Sequence, residues 1–146
     1  MRVRRQLCRH WRGGRPLQLG SSPILLTCAF IENTAEYGGA ILNWAGSNPS
    51  ITECDFENNS ASLDGGAIYT DTSEPTLTSC TFTGNSAAHD GGAIFNADPS
   101  TSSNVPIIDQ CTFLENVASD EGGAIHNVSI SPVLTECVLQ QNAAGE

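Results

Sequence analysis

The chain has 146 residues, 15% of them charged, and a formal net charge of −10. Its six arginines all lie within residues 1–15, it has no lysine, and its sixteen acidic residues all follow Gly20, so residues 16–146 carry no fixed positive charge. This distribution excludes a nucleic-acid-binding or lipid-binding surface on most of the chain, because both need cationic side chains against phosphates, and no apolar run approaches the ~20 residues of a membrane-spanning helix.

The first predicted segment, residues 1–20, is basic and has no repeat character. It lacks the apolar core of ~7–15 residues that follows the basic start of a signal peptide. We therefore predict a non-repeat N-terminal segment over residues 1–20 that is extraneous to the fold, followed by a repeat domain over residues 21–146.

Repeats organise the chain after Gly20. One cysteine recurs at the same place in five blocks, at steps of 26, 26, 31 and 26 residues. These are Cys28, Cys54, Cys80, Cys111 and Cys137. The long step contains a polar insertion at residues 98–104, which is predicted to be a surface loop. The fifth repeat stops at the chain end, so we expect a fragment of a larger protein.

Each repeat contains three apolar runs of about three residues, separated by Asn, Gly, Pro, Ser or Asp. Such runs are too short and too interrupted for helices, and they alternate with the period of two that strands show. The pattern predicts an all-β solenoid, a parallel β-helix, with about five coils of about 26 residues and three short strands per coil.

Equivalent residues of neighbouring coils should stack ~4.8 Å apart. The predicted inner ladders are Phe30, Phe56, Phe82 and Phe113, ended by Leu139; Ile41, Ile68, Ile94 and Ile125; and Leu25, Ile51, Leu77, Ile108 and Leu134. The five cysteines should form a further inward column of buried thiols. Disulfides between neighbouring coils remain an alternative, because the ladder spacing lies within disulfide reach.

A row of asparagines falls five residues after the cysteines. Its members are Asn33, Asn59, Asn85, Asn116 and Asn142. We predict that they occupy a turn, where asparagine tolerates a left-handed backbone. Their amides should also bond to one another along the axis. The alanines two residues later should fill a tight corner.

Two tetrapeptide patterns alternate in fixed register: GGAI at 38–41, 65–68, 91–94 and 122–125, and F-x-x-N at 30–33, 56–59, 82–85 and 113–116. This pairing resembles the repeats of the polymorphic outer membrane proteins of chlamydiae and of related secreted bacterial β-helix proteins. The resemblance covers roughly residues 23–146. It implies a right-handed parallel β-helix that serves as the passenger of an autotransporter and acts as an adhesin. It also implies an extracellular or outer-membrane location, with membrane contact only through a missing anchor domain.

Enzymatic activity is the alternative, because pectin lyase-like polysaccharide lyases and hydrolases share the parallel β-helix. Lyases on uronate polymers usually rely on Arg or Lys, which residues 16–146 lack. Asp120 and Glu121 are adjacent in sequence, but neighbours on a strand point to opposite sides, so these two carboxylates make a poor acid–base pair. His89 and His126 occupy different repeat positions, so they would not face each other as metal ligands or as a catalytic pair. Each is predicted to be a surface residue. We therefore predict no catalytic residues; a fragment of a polysaccharide enzyme would carry its catalytic groups in coils outside this sequence.

An acidic row gives the only cofactor hypothesis. Asp64, Asp90 and Glu121 immediately precede the glycine pair in three consecutive repeats. Stacked carboxylates repel unless something neutralises them, and Ca²⁺ accepts carboxylate oxygens in flexible geometry. The alternative is a solvated turn that binds no ion.

A binding face is predicted beside the isoleucine ladder. With the isoleucines inside, alternation places their neighbours outside. The outer strip then comprises Leu42, Tyr69, Phe95 and His126, with Trp44 beside it and the alanines of GGAI also exposed. Exposed apolar rows mark interaction sites, so we expect a host-cell surface protein or glycan here. Packing against a loop or a missing domain is the alternative.

Two further expectations concern the molecule's surfaces. An ice-binding or mineral-binding solenoid would need a regular Thr-x-Thr array, which isolated pairs such as Thr76-x-Thr78 do not make. The last coil shows no cap at Glu146, and uncapped coils leave strand edges unpaired. End-to-end self-association is therefore expected.

Overall fold

The computed structural model describes residues 22–44, 46–98 and 105–145, together with three short strands at 5–7, 11–12 and 17–19. Apart from Asp98, the predicted insertion loop lies outside the described residues, as does Cys8. In these described ranges every regular element is a strand, and none of them is a helix that could cross a membrane.

The strands wind into successive coils. The N-terminal strands are β1 (Arg5–Leu7), β2 (Trp11–Arg12) and β3 (Leu17–Leu19). The first complete coil contains β4 (Ile24–Leu26), β5 (Ala29–Ile31), β6 (Thr34–Ala35) and β7 (Ile41–Asn43). The second contains β8 (Ser50–Thr52), β9 (Asp55–Glu57), β10 (Ser60–Ala61) and β11 (Ile68–Asp71). The third contains β12 (Thr76–Thr78), β13 (Thr81–Thr83), β14 (Ser86–Ala87) and β15 (Ile94–Ala97). The fourth contains β16 (Ile107–Asp109), β17 (Thr112–Leu114), β18 (Val117–Ala118) and β19 (Ile125–Val128). The last strands are β20 (Val133–Thr135) and β21 (Val138–Gln140).

Four parallel sheets run along the axis. Their strand orders are β1-β4-β8-β12-β16-β20, β2-β5-β9-β13-β17-β21, β3-β7-β11-β15-β19 and β6-β10-β14-β18. The predicted parallel β-helix is therefore confirmed. The prediction of three strands per coil was wrong, because each complete coil contains four. The residues expected to fill a tight corner run extended for two residues and form the fourth sheet, as Ser60 and Ala61 do.

The N-terminal segment contributes strands to this architecture. Gln6 is paired with Leu25, Trp11 with Phe30 and Leu17 with Ile41, all in parallel. The strands β1, β2 and β3 therefore extend three of the sheets. The segment lacks the cysteine register and the GGAI motif of the repeats, so motif alignment could not place it in the solenoid.

The predicted ladders form the core. The four phenylalanine rings stack nearly parallel, with centroids 4.9, 4.6 and 4.7 Å apart in chain order. Their spacing matches the separation of neighbouring strands, which explains why identical side chains recur at this position. The isoleucine and leucine ladders are buried beside them in the complete coils, except that Ile125 is only partly covered. Leu134 and Leu139, which were predicted to end two of the ladders, are exposed in the last coil.

The asparagine row forms a continuous hydrogen-bonded ladder. The side-chain amide nitrogen of Asn59 donates to Asn85 Oδ1 at 3.0 Å and to the main-chain oxygen of Phe30 at 2.9 Å. Its own Oδ1 accepts the main-chain N–H and the side-chain amide of Asn33, both at 3.0 Å. The amide ladder is thus confirmed. The left-handed backbone lies one residue earlier than predicted, for example at Asn58 with φ 53°, because each ladder asparagine points inward.

The glycine pair of each GGAI motif has two separate causes. Gly65 has φ +68°, a left-handed conformation that side chains resist. Gly66 has no such torsion, but a Cβ there would collide with the main-chain oxygen of Gly92 in the next coil. The first glycine therefore makes the turn, and the second lets neighbouring coils approach.

The cysteines form the predicted inward column. Cys54, Cys80, Cys111 and Cys137 are free thiols, and Cys28 is buried in the same column. The main-chain N–H of Cys80 donates to Cys111 Sγ at 3.4 Å, and Cys54 Sγ donates to the Thr52 oxygen at 3.3 Å. The neighbouring Cys80 thiol lowers the pKa of Cys54 and of Cys111, and those two thiols in turn raise the pKa of Cys80.

A second polar ladder faces inward and is incomplete. Asn43, Thr70, Asn96 and Asn127 are in register on neighbouring strands. Asn96 donates to Asn127 Oδ1 at 2.9 Å. Within the described part of the chain, the side-chain nitrogen and oxygen of Asn43 and the hydroxyl of Thr70 are buried without a hydrogen-bond partner. Threonine at the second position thus breaks the ladder.

Candidate functional site

The outer face of the β7-β11-β15-β19 sheet carries the predicted strip, in which one leucine is followed by three stacked rings. We call this row the aromatic ladder; it consists of Leu42, Tyr69, Phe95 and His126. The strand register places these four residues side by side. The rings of Tyr69 and Phe95 are stacked with centroids 5.1 Å apart, and those of Phe95 and His126 are stacked 5.5 Å apart. The structure therefore brings these predicted site residues together.

Exposure along the aromatic ladder differs from the prediction. Phe95 is only 8% exposed, because rings cover it on both sides, whereas Trp44 is 51% exposed. The alanines expected outside are buried: Ala40, Ala67, Ala93 and Ala124 belong to the core. The inside–outside alternation fails at these alanines because the chain bends just before each strand. At the bend a single main-chain oxygen, such as that of Ala67, accepts hydrogen bonds from the N–H groups of both Ala40 and Ile41.

The ring stacking decides which contacts a ligand can make. Sugar recognition by aromatic stacking uses ring faces, and the ladder uses most of those faces internally. Ring edges remain for a partner, and edges carry the positive part of the ring quadrupole. By strand alternation, Trp44 follows Leu42 on the outer side. Among the described residues of this face, Trp44 is the aromatic residue that is most exposed.

Tyr37 is a member of the face that sequence reasoning missed. Its ring meets that of Tyr69 edge to face, with centroids 4.9 Å apart. Burial, and then the negative charges of Asp71 and Asp64, raises the pKa of Tyr69, so its hydroxyl stays protonated as a donor at neutral pH. Alignment could have found Tyr37, because it occupies the place directly before the glycine pair.

His126 ends the aromatic ladder between two carboxylates. Its Nδ1 lies 3.6 Å from Glu121 Oε2, and its Nε2 lies 4.0 Å from Asp90 Oδ2. The predicted surface histidine is therefore largely buried between the ring of Phe95 and two acids. The binding face and the acidic row, which the sequence presented as separate features, meet at this residue.

The acidic row does not take the geometry expected of a calcium site. Asp64 Oδ1 accepts the main-chain N–H of Asp90 at 3.2 Å, and Asp90 Oδ1 accepts that of Glu121 at 2.9 Å. Among the residues that the structure describes, no group of three or more His, Cys, Asp or Glu side chains could hold a metal ion. The carboxylates instead bond to successive turns, and these N–H groups offset the repulsion that calcium was invoked to relieve.

A shallow groove on another outer face was also missed. It has a volume of about 340 Å³ and is lined by residues that include Asp55, Glu57, Thr81 and Thr83. Asp55 and Glu57 lie two apart on β9, so they point to the same side. Thr81 and Thr83 also form a Thr-x-Thr pair. Threonines still do not form a regular array, because Asp55 and Glu57 occupy their register positions on β9.

Comparison with known proteins identifies the family. A family model described as a right-handed beta helix region matches residues 12–145. A search of curated proteins gives no match, and a search of solved structures gives none either. Because the family match spans most of the chain and the strands wind into parallel coils, the chain belongs to the right-handed beta helix family.

Proposed function

We propose that the chain is a non-catalytic binding scaffold, displayed at a cell surface as an adhesin, and that it contacts a host-cell glycan or surface protein through the face around Trp44. The observation that carries this proposal is the half-exposed indole of Trp44 beside the aromatic ladder. Tryptophan is among the residues that contribute most to binding when a partner covers them. The stacked rings of the aromatic ladder lie on the same face.

The extracellular location and the role of autotransporter passenger are part of the same proposal. They are supported by the alternation of GGAI with F-x-x-N, which resembles the repeats of chlamydial surface proteins. The excess of carboxylates favours partners that are neutral or basic, because like charges repel at an interface.

The test measures binding of the labelled protein to cultured epithelial cells and to an immobilised glycan array. We expect Trp44→Ala to weaken binding about tenfold or more, as the loss of a central aromatic contact does. Val105→Ala is the matched control, since Val105 is also exposed but lies just before β16 in another sheet. Its binding should equal that of the unmodified protein.

The outcomes separate the parts of the proposal. Full binding by Trp44→Ala would remove this face from recognition. No binding of the unmodified protein to either probe would refute the adhesin role. Binding to cells that survives glycosidase treatment would identify a protein ligand. Phe95 is unsuitable as a probe, because its burial between two rings makes its replacement a test of stability.

The groove at Asp55 and Glu57 is the one feature that favours a second candidate function. Paired carboxylates on one face are the group that glycoside hydrolysis requires. A hydrolase acting on a neutral polysaccharide would release reducing sugar, and Asp55→Asn would abolish that release. Absence of reducing sugar with several neutral polysaccharides would dismiss this candidate.

A further inference from the structure

The end of β7 places Trp44 beside a carboxylate of the next coil. The pairing of β7 with β11 reaches Asn43 and Thr70, and a main-chain hydrogen bond of 3.0 Å from Gly46 joins the two coils beyond this pair. Trp44 and Asp71 directly follow the paired residues, so their backbones lie side by side. Because Thr70 is buried, alternation turns Asp71 toward the outer side, as it does Trp44.

The carboxylate of Asp71 is held in place by one hydrogen bond. Thr72 Oγ1 donates to Asp71 Oδ1 at 2.7 Å, and among the described residues no other group donates to this carboxylate. Residues 16–146 contain no lysine or arginine, and His126, the histidine of the same sheet, lies two strands away on β19. Asp71 therefore offers its second oxygen, with the negative charge, to a ligand.

Two tyrosines and a second carboxylate complete this surface. The ring of Tyr37 meets that of Tyr69 edge to face, and the N–H of Gly38 donates to the main-chain oxygen of Asp64 at 3.0 Å, which places Tyr37 beside Asp64. Burial, and then the charges of Asp71 and Asp64, raises the pKa of Tyr69, so both carboxylates lie near its hydroxyl. We call this surface the Trp44 corner; it consists of Trp44, Tyr37, Tyr69, Asp64 and Asp71.

The exposed indole has a free ring face. Trp44 is half-exposed, and among the described residues its ring takes no part in the stacked or edge-to-face contacts of this face. The face of an aromatic ring is the negative part of its quadrupole, and indole attracts an ammonium or guanidinium group better than the other aromatic rings do. Carboxylates bind the same two groups through charge-assisted hydrogen bonds. The Trp44 corner therefore combines two features that recognise one kind of cation.

Charge separates this ligand from a neutral sugar. A sugar can stack on the indole and donate its hydroxyls to a carboxylate, but it would leave the charges of Asp64 and Asp71 without a counter-charge. A basic side chain would neutralise them, and complementary charge also steers the encounter of two proteins. The corner is thus better matched to a basic group on a protein than to a neutral glycan.

We propose that the Trp44 corner binds a lysine or arginine side chain of a protein partner, with the cation against the indole of Trp44 and its N–H groups donated to Asp71. This inference rests on the proposed function, because it uses the same face. It decides between the two classes of ligand named there in favour of a surface protein.

Nuclear magnetic resonance titration with small probes tests the ligand class directly. The cationic probes are N-acetyl-lysine amide and N-acetyl-arginine amide, and their neutral counterparts are N-acetyl-norleucine amide and N-acetyl-citrulline amide. We expect the cationic probes to shift the indole N–H of Trp44 and the main-chain N–H of Asp71, with saturation at millimolar concentrations. The neutral probes should leave both signals unmoved, and high salt should weaken the response because it screens the charges.

Asp71→Asn separates charge from shape. The variant keeps the size of the side chain and an oxygen for the hydroxyl of Thr72, but it removes the negative charge. We expect it to abolish the shifts caused by the cationic probes and to weaken cell binding about tenfold. Asp109→Asn is the matched control, because Asp109 is also a partly exposed aspartate but lies on β16 in another sheet; its binding should equal that of the unmodified protein.

The outcomes distinguish this site from the adhesin role. Equal shifts from charged and neutral probes would overturn the inference, and so would saturation by methyl glucoside that survives Asp71→Asn, which would indicate a sugar site. Full cell binding by Asp71→Asn would also overturn it and would leave the adhesin role intact. Charge-dependent binding of the probes by a protein that binds no cells would uphold the site and refute the adhesin role.

Discussion

Thr70 interrupts an inward polar ladder, and we predict that Thr70→Asn stabilises the protein. The amide nitrogen of Asn43 and the hydroxyl of Thr70 are buried without partners among the described residues. Asn96, on the other side, already donates to Asn127. Asparagine at position 70 would let Asn43 donate to it and would itself donate to Asn96, as in the complete ladder through Asn59.

The size of the effect follows from the bonds gained. Two amide hydrogen bonds at roughly 1 kcal/mol each give about 2 kcal/mol, and the lower strand propensity of asparagine subtracts up to ~1 kcal/mol. The net gain in unfolding free energy should therefore be about 1–2 kcal/mol. Thr70→Val should be neutral or mildly stabilising, because it removes a buried hydroxyl that has no partner.

Urea unfolding followed by far-UV circular dichroism measures the effect. We expect a higher midpoint for Thr70→Asn at an unchanged dependence on urea. Asn59→Thr is the opposing variant: it removes four hydrogen bonds from the complete ladder and should cost on the order of 4 kcal/mol. A folded Thr70→Asn protein with an unchanged or lower midpoint would refute the reasoning, and would indicate that an ordered water already satisfies Asn43.

Two other predictions concern the coil contacts. Gly92→Ala should destabilise the protein by several kcal/mol or prevent folding, because its Cβ would strike the Gly123 oxygen. Gly46→Ala is the control: Gly46 has open space around it and φ +75°, so this substitution should cost only ~1–2 kcal/mol. Equal thermal shifts of the two variants would contradict this account. In a Cys8→Ser background, iodoacetamide should modify Cys137 first, and the buried Cys54, Cys80 and Cys111 only on unfolding. Peptide mapping after cleavage at glutamate can follow the order, and early modification of Cys80 would show that the column is open to solvent.

The fold could be predicted because its causes are local and repeated. A column such as Phe30 to Phe113 needs only a recurring sequence spacing and one inward side chain per coil, and the amino-acid sequence shows both. The fourth sheet was missed because two residues such as Ser86 and Ala87 have no recognisable period. The strands β1–β3 were missed because their segment lacks the repeat motif.

The candidate site was predictable only in its positions. Register alone aligns Tyr69 with Phe95 and His126, but the sequence does not show that stacking buries the ring of Phe95. The contacts of His126 with Glu121 and Asp90 join two rows that lie at different repeat positions. The hydrogen bonds of the acidic row involve main-chain groups, whose direction side-chain patterns do not encode.

The 31-residue step of the third repeat shows how the solenoid tolerates change in length. Its additional residues fall between β15 and β16, yet Thr76 still pairs with Ile107 and Phe82 with Phe113. Since each coil contacts only its neighbours, recombination that gains or loses one whole repeat would leave the remaining ladders aligned. Each such event would change the reach of the molecule by ~4.8 Å, so its length can evolve in fixed steps while loops diversify at one corner.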